Sequence, residues 1–170
     1  MLKVMGICFI VAGTAGFGRY FSSYLKMHLE QLVECREIFT QMDAGREYLR
    51  LPYAQLLKRT AKGKQEIISQ ILIEVADEME KNTQGDATSL WDAAFQKRKK
   101  QLLLKEEEKD LLLSLARSLM MEGDHTQVAK IYFMQLEDKI KKAMEEKREK
   151  QKLYGAVSVL GGLFLVILLL

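Results

Sequence analysis

Between two uncharged ends, apolar residues recur along the chain with the period of a helix. Leu25, His28 or Leu29, Leu32, Cys35, Phe39 and Met42 fall three or four positions apart, which predicts one long helix with a single apolar stripe. That helix should stop before Pro52, because a residue preceding proline is disfavoured in helical geometry. Pro52 itself suits the first turn of a short helix running to Ala61, with Gly63 closing it. A third helix over 64–82 takes its inner face from Ile67, Ile68, Ile71, Leu72, Val75 and Met79, with Glu66, Glu74, Asp77 and Glu78 largely elsewhere. Asn82 to Ser89 reads as a loop.

A fourth helix is expected to start at Ser89, with Asp92 three positions on as a capping partner and Leu90, Trp91, Ala94 and Phe95 facing a core. In a fifth, Glu106, Glu107 and Glu108 lie near the positive N-terminal end while Leu111, Leu112, Leu115 and Leu119 point inward. Asp124, with Gln127, opens a sixth whose inner face is Val128, Ile131, Tyr132, Leu136, Ile140 and Ala143. Its continuation, AMEEKREKQK, has no broad apolar face and reads as an exposed helical stalk. There Glu145 and Glu149 repel, whereas Glu146 and Lys150 attract.

The ends follow a different rule. Leu153 to Leu170 contains no charged side chain, and as a helix it would cover about 27 Å, close to one bilayer core. Val4 to Gly18 is a shorter uncharged run between Lys3 and Arg19. With Arg19 snorkelling and Tyr20, Phe21 and Tyr24 at the interface, a helix from Leu2 to about Phe21 can also span. A cleaved signal peptide ending near Gly13 and Ala15 is the competing reading. It would export the basic cluster Lys139, Lys141, Lys142, Lys147, Arg148, Lys150 and Lys152, against the positive-inside rule. The expected organisation is therefore all-α: a six-helix-type bundle flanked by an N-terminal and a C-terminal transmembrane helix. Its parts are a span at 1–21, a cytoplasmic bundle at 22–143, a charged stalk at 144–152 and a span at 153–170, with both termini outward.

Charge narrows the function. Net charge is +3, and because Lys3 is the only charged residue in the two apolar ends, 25 of the 26 basic and all 23 acidic residues lie between them. That balance argues against a nucleic-acid partner. The cluster Lys97-Arg98-Lys99-Lys100 lacks accompanying aromatics or glycines and reads as a solvated or lipid-facing patch. His28 and His125 have no second ligand at metal spacing, and Cys8 and Cys35 read as small hydrophobes. Gly63-Lys64 and Gly123-Asp124 lack the spacing of a phosphate loop. The chain is expected to be non-enzymatic, with no metal, no cofactor and no small-molecule substrate.

Candidate partner contacts are the charges outside the apolar stripes: Arg46, Arg50, Lys58, Arg59, Lys97, Arg98, Lys99 and Lys100. Lys147, Arg148, Lys150 and Lys152 form a membrane-proximal basic collar. Ala12 with Gly16, Thr14 with Gly18 and Ser158 with Gly162 have the four-residue small spacing that lets helices pack closely in lipid.

Several of these features together resemble the stage III sporulation protein AB family over the whole chain. They are the opening MLKVMG, the helix break before Pro52, the Gly123-Asp124 turn followed by Gln127 and Ile131, and the terminal LYGAVSVLGGLFLVILLL. Relatives tend to carry Thr-Pro-Leu in place of Leu51-Pro52-Tyr53 and Leu-Gly in place of Met120-Met121, departures that affect helix ends. The resemblance implies a component of the secretion-like channel complex between mother cell and forespore, in the mother-cell membrane around the forespore. It also implies a helical domain similar to the cytoplasmic domains of type II secretion F proteins. By that analogy the domain docks the cytoplasmic ATPase of the same complex, alongside its other membrane components and the lipid bilayer. A membrane-tethered adaptor or regulator with no motor partner is the alternative.

Overall fold

The computed structural model describes the backbone at residues 2–46, 51–81, 87–120 and 126–169, and every regular element there is helical. In order these are α1 (Leu2–Ala44), α2 (Tyr53–Ala61), α3 (Glu66–Lys81), α4 (Ala87–Lys97), α5 (Glu106–Met120) and α6 (Thr126–Leu169). They group into two compact units, one of Met1–Leu29 with Lys141–Leu170 and one of Glu30–Ile140.

In the second unit, α2 packs on α3, α3 on α4 and α4 on α5. The α1 stripe is buried as its spacing predicts, with Leu32, Cys35, Phe39 and Met42 inside and Ile38 joining them. Phe39 meets Trp91 at a ring-centroid distance of 5.6 Å, and Trp91 meets Phe95 at 5.9 Å. Around these rings Ile68, Ile71 and Leu72 of α3 and Leu102 of the α4–α5 connection close the core. A side chain such as Leu112, wholly removed from water, is worth about 2–3 kcal/mol of transfer free energy.

Specific bonds mark where α2, α3 and α5 begin. Pro52 precedes α2 and makes no side-chain cap; its carbonyl accepts the Leu56 N–H at 3.1 Å. Gly63 has a φ of 81°, the left-handed geometry that ends a helix at little cost for glycine. The start of α3 is tied to α1, since the Gln65 N–H donates to Glu34 Oε1 at 2.8 Å and Lys64 Nζ pairs with Glu37 at 2.9 Å. Before α5, the Lys105 N–H donates to Glu108 Oε2 at 2.7 Å, the returning half of a capping box. Thus Glu108 is buried for a specific bond, beyond the general attraction of acids to a helix N-terminus.

Two expectations change, and one connection gains a role. Helix α4 begins at Ala87, two residues before Ser89, so Ser89 and Asp92 lie within the helix and do not form its cap. Val128 and Ile131 are 43% and 55% exposed; Ala129, Leu136, Ile140 and Ala143 are the buried face of α6. The expected face holds at Leu136, Ile140 and Ala143, and in the first turns of α6 Ala129 is the inward residue. The connection at 98–105 is more than a link: Leu102 and Leu104 are buried, and the Leu103 N–H donates to the buried Gln31 side chain at 2.9 Å. The expected Asp124 cap and residues 82–86 of the expected Asn82 to Ser89 loop lie outside the described residues, and Ala87 to Ser89 belong to α4.

In the first unit, α1 and α6 run side by side. Phe21 and Tyr154 are 4.5 Å apart between ring centroids, and Gln151 Nε2 donates to Ser22 Oγ at 2.6 Å. The stalk residues 144–152 are helical throughout, and Glu146 pairs with Lys150 as their spacing predicts. Among the described residues no helix is long and apolar enough to cross a membrane. The two spans expected from the sequence fall on side chains outside the described set, largely for the first and partly for the second.

Leu112→Ala is expected to cost about 2–5 kcal/mol of unfolding free energy, read from the urea midpoint by circular dichroism. Ile131→Ala, at an exposed position, should change it by no more than about 0.5 kcal/mol.

Candidate functional site

The sequence-selected basic residues separate into paired and unpaired sets. Glu74 of α3 accepts from Lys97 at 2.9 Å and from Arg98, whose guanidinium also reaches Gln70. Lys99 pairs with Glu106 at 3.0 Å, and Lys58 bridges Asp77 at 2.8 Å and Glu80 at 2.9 Å. These bonds hold Lys58 above its ordinary pKa, chiefly through the hydrogen bonds to Asp77 and Glu80. Arg46 Nη1 donates to the Leu119 carbonyl at 3.1 Å, satisfying a free acceptor at the end of α5. These candidates stabilise their own unit. Arg59 and Lys100 are exposed and hold no ion pair among the described residues, while Arg50 lies outside that set.

The same belt continues around the unit. Arg36 of α1 pairs with Glu137 of α6 at 2.7 Å, and Lys139 of α6 with Glu107 of α5 at 2.5 Å. These pairs are largely exposed, so each contributes about 1 kcal/mol or less. Together they neutralise these side chains in place.

The basic collar at 147–152 behaves differently. Lys150 is paired with Glu146, but Lys147, Arg148 and Lys152 line a groove with Arg19 of α1. The groove, about 650 Å³, also contains Ser22 and Gln151. Arg19 is the residue that sequence reasoning failed to group with the collar. The signal was present in part: positions 144, 147, 148, 151, 152 and 155 share one helical face. Of the small residues proposed for close packing, Gly162 is buried, and Gly16 is exposed with no described atom within 4 Å of where a Cβ would stand. The side chains of Ala12 and Ser158 lie outside the described set.

The groups that could perform chemistry are dispersed. His28 is buried in α1, and His125 lies outside the described residues. Among the described residues no group of three or more His, Cys, Asp or Glu is placed to hold a metal. Burial pushes the Cys35 thiol up to about 12, with the Glu34 and Glu108 carboxylates adding to the effect. A thiol so far from ionisation is a poor nucleophile.

The model of the family described as stage III sporulation protein AB matches residues 3–170. No curated protein and no solved structure matches the chain.

Hydrogen bonds from Lys97 and then Arg98 hold the Glu74 carboxyl below its ordinary value of 4.5. A folded-state pKa that is lowered stabilises above the unfolded value and is lost as pH falls through the folded one. Glu74→Gln should therefore cost about 1 kcal/mol or less at neutral pH, with the difference from the parent shrinking as urea titrations are taken below pH 4.5. In a Cys8→Ser chain, Cys35 should resist an aromatic disulfide reagent at neutral pH and react fully once urea unfolds the protein.

Proposed function

The chain belongs to the stage III sporulation protein AB family, and from that premise we propose that it is a non-enzymatic membrane platform of the channel complex between mother cell and forespore. The carrying observation is the side-by-side pairing of α1 and α6 through Phe21 with Tyr154 and Ser22 with Gln151. From that pairing, the chain runs back along α1 into the uncharged residues 4–18 and forward along α6 into Leu153–Leu170. Two apolar runs that leave one paired neck in the same direction suit a membrane hairpin with both termini on the outer side.

Exposure patterns support the same reading. Leu153, Val157, Leu160, Leu163, Phe164 and Ile167 are each more than half exposed, an arrangement that water disfavours and lipid accommodates. Tyr20 is 71% exposed beside Arg19, where an aromatic ring suits the headgroup layer. The helical unit Glu30–Ile140 is then the cytoplasmic part. We take it as the docking surface for the ATPase of the complex. Arg59 and Lys100 are among the cations there that hold no ion pair among the described residues, while Lys58, Lys97, Arg98 and Lys99 are engaged within the unit.

The full chain, tagged and solubilised from sporulating cells, should recover the ATPase. Arg59→Glu with Lys100→Glu should lower that recovery several-fold. Unchanged recovery removes these two residues from the contact, and recovery of a signalling protein in place of the motor favours a membrane-tethered adaptor. Membranes carrying the chain should retain it through alkaline carbonate washing; its release would sink the hairpin.

A further inference from the structure

We infer that the groove between α1 and α6 is a binding site for the phosphate headgroup of an anionic phospholipid, an inference that rests on the hairpin reading above. Four cationic side chains, Arg19, Lys147, Arg148 and Lys152, line it, and no acidic residue does. None of the four holds an ion pair among the described residues. Where Lys58, Lys97 and Arg98 are neutralised by carboxylates of the chain itself, this concentration of unpaired charge on one groove suits an anion from outside. Arginine's planar fork and lysine's point charge together suit a phosphate diester.

The polar contents fit the same ligand. Ser22 and Gln151 form the hydrogen-bonded floor at 2.6 Å, leaving further donor and acceptor capacity for glycerol or phosphate oxygens. Gly155 borders the groove, and a Cβ added there would meet nothing within 4 Å, so there is room for a backbone of glycerol and ester. Its volume of about 650 Å³ is ample for a headgroup.

Position selects a lipid over a free phosphate. The groove lies where the uncharged residues begin on both helices, at Gly18 on α1 and beyond Lys152 on α6. Leu153, Val157 and Leu160, each more than half exposed, continue from it along α6 and give acyl chains an apolar surface. A soluble anion would use the cations and none of this surface. Basic pockets between membrane helices bind anionic headgroups by the same combination.

The test is native mass spectrometry of the full chain in detergent with phosphatidylglycerol and phosphatidylcholine of identical acyl chains. Phosphatidylglycerol should be retained preferentially, and Arg148→Gln with Lys152→Gln should lower the preference about five-fold per charge removed. Arg59→Gln with Lys100→Gln removes the same charge elsewhere and should leave it unchanged. Equal retention of the two lipids, an equal loss in this control pair, or displacement by soluble glycerol phosphate would each overturn the site. Carbonate washing separates the two levels: a chain that stays in the membrane without lipid preference removes only the headgroup site. A chain that washes out removes the hairpin and the site together.

Discussion

Trp91 needs apolar neighbours on several sides at once, and the Glu30–Ile140 unit is arranged so that α1, α3 and the α4–α5 connection supply them. Phe39 and Phe95 contact its ring, and Ile68, Ile71, Leu72 and Leu102 complete the enclosure. Among the described residues nothing accepts its Nε1–H, a cost of about 1–3 kcal/mol. The apolar area it buries offsets that cost, which shows how far packing outweighs hydrogen bonding at this position. Helices brought together by this residue then tie their own ends to one another, as when Glu34 and Glu37 of α1 hold the start of α3.

Around that core, charge is organised pair by pair. A nearly balanced composition could leave positive and negative faces; instead α3 and the end of α4 cancel one another, and α6 is tied to α1 and α5 by Arg36–Glu137 and Lys139–Glu107. The individual bonds are weak in water. Against that background Arg59, Lys100 and the four cations of the α1–α6 groove stand among the described cations that hold no ion pair.

Periodicity alone carried the helical class, most helix positions and the inner faces of α1, α3 and α5, because a buried stripe must repeat with the turn of the helix that bears it. It also marked the uncharged ends and the Glu146–Lys150 pair, both of which depend on neighbours along one helix. What only the tertiary structure decided involves residues distant in sequence. It turned Ala129 inward and left Val128 and Ile131 outside, used Gln31 to hold Leu103, and committed Lys58, Lys97 and Arg98 to acids 19 or more positions away. It also brought Arg19 to Lys147, Arg148 and Lys152. Local spacing specifies which way a side chain faces on its own helix, but whether that face meets a core, a carboxylate or open space is set by helices that the chain returns to only after folding.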